Sequence, residues 1–131
     1  VAHAIGARYH VVHGHSAIMV IPALIRHHAE ASAENIAKLA EIFVVPKTGT
    51  AKEVADYVAD AVLDFYKSFG FENCKKTLEA NGFDDDVDQF TENLIPAILD
   101  DFKSRNWVPP IDREENRENL VNVCHMIYNE K

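Results

Sequence analysis

Between Thr50 and Gly70 the apolar residues return every three or four positions. Val54, Tyr57, Val58, Ala61, Val62, Phe65 and Tyr66 fall on one side of an α-helix, and no strand pleat would gather them. Thr50 stands before this run and Glu53 three residues later, the spacing of a capping box. Gly70 ends the run, as a residue free to enter the left-handed region. The same spacing recurs along most of the chain, and no stretch shows the clean alternation of a half-buried strand.

Helices are therefore expected throughout. Val1 to Tyr9 reads as the end of a helix, followed by a turn around His10 to Gly14. Ser16 is the expected cap of a helix reaching about Glu30 and kinked at Pro22. Ser32 caps a short helix carrying Ile36, Leu39, Ala40 and Phe43, and a loop runs from Val44 to Gly49. Another short helix spans Glu72 to Ala80 and closes at Asn81-Gly82. Asp84, Asp85 and Asp86 suit the positive end of a helix that reaches about Lys103 and bends at Pro96. Asn106 to Pro110 reads as a loop, and Asp112 as the cap of a last helix carrying Leu120, Val123, Cys124 and Ile127. The expectation is one all-α domain over residues 1–131, a bundle of six to seven helices. No glycine-rich phosphate loop follows a strand, so the piece has no dinucleotide fold of its own.

The net charge of -8 argues against a nucleic-acid partner, which needs a basic surface. The longest apolar run, Ala17 to Ile25, is too short to cross a bilayer, and no anionic-membrane patch is present. Cys74 and Cys124 lie far apart and form no CxxC pair, so they read as reduced core thiols of a cytoplasmic protein. The chain opens at Val1 inside a helical pattern with no capping residue before it, which predicts a cut polypeptide with further parts upstream.

Six of the seven histidines fall within the first 28 residues. Imidazole ligates zinc and iron and carries protons near neutral pH. A helix-turn-helix would bring His3 and His13 near one cavity. The spacing is not HExxH, and no paired cysteines assist. His27, His28 and His125 sit near helix C-termini, where partial positive charge is welcome. Gly6 and Gly14 suit tight packing and a left-handed turn.

The stretch His3-Ala4-Ile5-Gly6-Ala7-Arg8-Tyr9-His10-Val11-Val12-His13-Gly14 resembles a signature of the iron-containing (group III) alcohol dehydrogenases. That pattern runs His-x3-His-x2-Gly-x6-His-Gly, then a small, apolar helix holding a proline. His3 falls on the second histidine, Gly6 on the glycine and His13-Gly14 on the closing pair, with Pro22 at the expected offset. The resemblance is strongest over the first 30 residues and rests beyond them on helix order. It implies the C-terminal, metal- and substrate-side half of a two-domain oxidoreductase. The partner would be a nucleotide-binding N-terminal half holding NAD or NADP, and the substrate a small alcohol or aldehyde.

By the resemblance, His13 matches a ligand of a divalent metal, iron or zinc, and His3 matches a histidine beside nicotinamide and substrate. The remaining ligands, two histidines and an aspartate, would lie ahead of Val1. The fragment alone is then expected to be inactive and to hold no metal tightly. Dimers or larger assemblies are common in the family. Val12 stands where proline is common and Ala17 where asparagine is frequent. His15 occupies a variable position able to reach the substrate pocket. Related glycerol dehydrogenases and dehydroquinate synthases carry glutamate after the His-Gly pair, which makes them more distant. Two other readings stand beside this one: a non-catalytic helical interaction domain, and an independent metalloprotein using His3, His10, His13 and His15 together.

Overall fold

The computed structural model describes residues 1–104 and 114–131. Among them are seven helices and no strand: α1 Ala2–Tyr9, α2 His13–His27, α3 Ala33–Phe43, α4 Ala51–Ser68, α5 Cys74–Ala80, α6 Val87–Ser104 and α7 Glu114–Asn129. The all-α expectation holds. The loop read at Asn106 to Pro110 and the cap read at Asp112 lie outside the described residues. No helix among the described residues is long and apolar enough to cross a membrane.

Local chemistry accounts for several helix starts. The Glu53 N–H donates to Thr50 Oγ1 at 3.2 Å, and the Thr50 N–H donates to Glu53 Oε2 at 2.7 Å, completing the capping box. These bonds, the backbone one first, hold the Glu53 carboxyl below its ordinary range. Gly49, at φ 113°, leaves room for that carboxylate, because a Cβ there would stand 2.5 Å from Glu53 Oε2. Asp86 and Gln89 repeat the reciprocal arrangement at the start of α6, at 2.9 and 3.0 Å. Asn73 accepts from the Lys76 N–H at 3.0 Å to begin α5. Ser32 occupies the cap position of α3, but its side chain makes no capping bond. Gly70, at φ 83°, follows the end of α4 as expected.

Two compact units form: Val20–Glu72, and Val1–Met19 together with Asn73–Lys131. In the first, α3 packs on α4 around Ala29, Ile36, Ala40, Val54, Ala55, Val58 and Val62. One correction concerns α4. Tyr57 and Phe65, expected inside, are 44% and 52% exposed. Close approach of two helices favours small side chains at the contact, so Ala55 and Ala59 face inward and the buried stripe rotates toward them. The displaced Phe65 ring instead meets Phe43, Tyr66 and Phe69 at centroid distances of 6.5, 6.1 and 5.0 Å. Arg26 clasps α4 through Asp56 and Asp60, one turn apart, at 2.6 and 2.7 Å.

In the second unit α6 packs on α1 and α7, and α5 packs on α7. Its centre is Tyr9, fully buried, with the Phe83 ring edge-on at 5.0 Å and the Phe90 ring stacked at 5.5 Å. The Tyr9 hydroxyl donates to Asp85 Oδ2 at 2.7 Å, and Asn93 donates to the same oxygen at 2.8 Å. Burial, then the Asp85 hydrogen bond, pushes the Tyr9 hydroxyl far above its ordinary pKa, so it remains a donor. Tyr128 donates to the Asp85 carbonyl at 2.9 Å. Asp85 thus ties α1, α6 and α7 together through one residue.

Candidate functional site

The histidine-rich segment is built by a sharp reversal between α1 and α2. His10 ends α1 in the left-handed region at φ 57°, a conformation that costs a non-glycine residue roughly 1–2 kcal/mol. The Asn81 side-chain amide holds the reversal by donating to the carbonyls of Tyr9 at 3.1 Å and His10 at 3.4 Å. Gly6 suits the same turn. A Cβ there would meet the Val11 carbonyl oxygen at 3.1 Å, closer than most side chains come.

The reversal is shorter than expected, because α2 begins at His13. The Ser16 N–H donates to the Val12 carbonyl at 3.0 Å, so Ser16 lies inside the first turn and does not cap it. Its hydroxyl is fully buried and donates to the His13 carbonyl at 2.9 Å. The left-handed residue is His10, not Gly14. Gly14 has no positive φ, and beyond its chain neighbours and its own helix backbone no atom among the described residues lies within 4 Å of where its Cβ would stand. Nothing described in this chain requires glycine there.

His3 on α1 and His13 at the start of α2 come face to face. Their rings stack at 4.7 Å between centroids and 16° between planes. His3 Nδ1 lies 3.7 Å from Asp101 Oδ2 near the end of α6, and the His3 side chain is half exposed. His15 is partly buried, with Nε2 3.4 Å from Thr77 Oγ1. His10 is exposed and lies 6.0 Å from the Phe83 ring. The structure therefore joins His3 and His13, and gives His15 and His10 partners of their own. Among the described residues, no three histidine, cysteine, aspartate or glutamate side chains gather as a metal-binding set. A site made by His3, His10, His13 and His15 together is not formed.

Asp101 is the member of this constellation that sequence reading missed. Its signal was a carboxylate on the apolar stripe of α6, one helical step beyond Leu94 and Ile98. His27, outside the constellation, has a lowered pKa through burial and then its neighbour His28.

Residues 1–123 of the 131 match the Fe-containing alcohol dehydrogenase family, C-terminal. The chain belongs to that family. No curated protein and no solved structure matches it significantly. The family membership covers nearly the whole chain, whereas the resemblance read from sequence motifs was strongest near its start.

Proposed function

We propose that residues 1–131 are the metal- and substrate-side helical domain of an NAD(P)-linked oxidoreductase that interconverts small alcohols and aldehydes or ketones. The observation that carries this reading is the stacked His3–His13 pair, at the second and closing histidine positions of the family signature. His13 would hold a divalent iron or zinc ion together with ligands from outside this chain. Neutral imidazole suits either metal, and the exposed edge of a first helical turn can be reached by ligands from another domain. The open space at Gly14 fits the same picture, since the bound group or substrate needs close access to the backbone beside His13.

The bound metal would polarise the substrate oxygen, and the nicotinamide would exchange hydride with the substrate carbon. The chain's own residues orient and handle protons. His3, on the substrate and nicotinamide side, would position the substrate hydroxyl and relay its proton. Its ring plane is held by the stack on His13. His15, anchored near Thr77, would line the substrate pocket. A nucleotide-binding half, a cytoplasmic location and homo-oligomers belong to the same reading. So do inactivity and weak metal binding of residues 1–131 in isolation.

The test is paired substitution in the full native chain. His13→Ala should lose bound iron or zinc and turnover together. His3→Ala should keep the metal and lose about a hundredfold or more in kcat, the scale of general acid–base groups. A His13→Ala protein with the metal content and turnover of wild type would refute the proposal. A second reading, a non-catalytic interaction domain, draws on the exposed side of α4. There Tyr57, Phe65 and Phe69 stand at four- and eight-residue intervals and are all more than 40% exposed. It predicts no NAD(P)-linked turnover by the native chain.

A further inference from the structure

We propose that Asp101 is a positioning residue that sets the orientation of the His3 ring. This deepens the proposed function and rests on it, because it matters only if His3 faces substrate.

The argument begins with the helix that carries Asp101. α6 buries Phe90, Thr91, Leu94, Ile95 and Ile98, and the next step of that stripe is Asp101. A carboxylate there opposes two preferences of a helix. It occupies an apolar position, and it stands in the last turn, where the helix dipole disfavours negative charge. Asp100 beside it is exposed, whereas Asp101 is only 26% exposed and points toward α1. α1 packs along α6, and the residue it presents there is His3, with Nδ1 3.7 Å from Asp101 Oδ2.

The two contacts of His3 do different things. Stacking on His13 fixes the plane of the ring but leaves it able to flip within that plane. The carboxylate beside Nδ1 removes that freedom, because it favours the ring nitrogen that carries hydrogen on its own side. Nδ1 therefore points to α6, and Nε2 points the opposite way across the ring. At 3.7 Å the contact is electrostatic, longer than a hydrogen bond. Carboxylates that orient metal-bound histidines are worth about ten- to hundredfold, and the low end of that range sets the scale for an orienting carboxylate beside His3.

The experiment is a double-mutant cycle on the full native chain, following reduction of a panel of short-chain aldehydes with NADH and NADPH. Asp101→Asn should lower kcat about tenfold, with KM and the bound iron or zinc close to wild type. Asp101→Glu should recover most of the loss. In a His3→Ala background, Asp101→Asn should have no further effect, since the residue it orients is gone. Thermal midpoints of each variant separate misfolding from misorientation, and Asp101→Ser, which also removes the carboxylate and should show the same loss of about tenfold, carries the test if the asparagine variant unfolds. An Asp101→Asn protein as active as wild type, beside an impaired His3→Ala protein, overturns this inference alone. The same holds if Asp101→Asn exerts its full effect without His3. Wild-type activity that survives His3→Ala, or wild type inactive on the whole panel, overturns the proposed function and this inference with it.

Discussion

Each of the two units of the molecule is held together internally by a different chemistry. Val20–Glu72 is one continuous stretch of chain, and its interior is aliphatic and small: Ala40, Ala55, Val58 and Ala59 are fully buried. The unit of Val1–Met19 and Asn73–Lys131 joins segments more than fifty positions apart. Its interior combines rings with polar links, among them Tyr9 to Asp85 and Asn81 to the Tyr9 carbonyl. It also contains both cysteines and the His3–His13–Asp101 group. The contrast teaches where function can be built. An aliphatic helix pair tolerates rearrangement of similar volumes, whereas hydrogen-bonded links specify one arrangement and can hold a side chain in a set direction.

The sharpest way to break this comparison is at the two centres. Tyr9→Ala should destabilise its unit by about 3–5 kcal/mol, the cost of removing a buried aromatic side chain. Tyr9→Phe should cost about 1–3 kcal/mol, because Asp85 loses a buried donor while the ring contacts remain. Val58→Ala, in the aliphatic unit, should cost about 2 kcal/mol. Urea unfolding followed by circular dichroism measures all three. A Tyr9→Phe protein as stable as wild type would erase the distinction, because the polar link would then specify nothing.

Next in size is thiol reactivity, which reports on one unit only. Burial pushes the Cys74 thiol up to about 12, with Cys124 adding to the shift, and pushes the Cys124 thiol up to about 11. Since thiolate is the reactive form, Cys74 should react with iodoacetamide at pH 8 about a thousandfold more slowly than an exposed cysteine. Mass spectrometry of labelling against time checks this, and Tyr9→Ala should restore much of the rate. Rapid labelling of the wild type would place these thiols outside a closed core.

The smallest effect belongs to the other unit. Burial, then His28, lowers the pKa of His27, so its neutral form is favoured in the folded state. The associated stability is fully present above the ordinary histidine pKa of 6.5 and is lost as pH falls through the lower folded value. His27→Gln should therefore flatten the decline in stability on the acid side of pH 6.5, seen as a smaller fall in the thermal midpoint.

Helix identity was legible in the residues, and so were the signals at helix ends that act over three or four positions. Thr50 with Glu53, Asp86 before α6, and Gly70 each acted as read, whereas the Asp85 carboxylate turned instead to Tyr9 and Asn93. Ser16 failed as a cap because the signal of a small polar residue near an apolar run does not say which turn of the helix it occupies. Tyr57 and Phe65 failed as core residues because periodicity fixes a stripe only to within about one position, and helix packing then chose the alanine side. That His3 and His13 meet was legible in the short helix-turn-helix between them, whereas the place of Asp101 was not, since 98 positions separate it from His3.

What the sequence determined by itself was therefore the class of fold, the helix ends marked by reciprocal caps or glycine, and the family, because these depend on short-range periodicity, capping and a local motif. Only the tertiary structure decided which side of α4 is covered, that His10 rather than a glycine makes the turn, and that Asp101 stands beside His3. Those facts depend on segments distant in sequence meeting at a few ångströms, where packing volume and the need to pair a sheltered carboxylate choose among arrangements that local preferences leave equal.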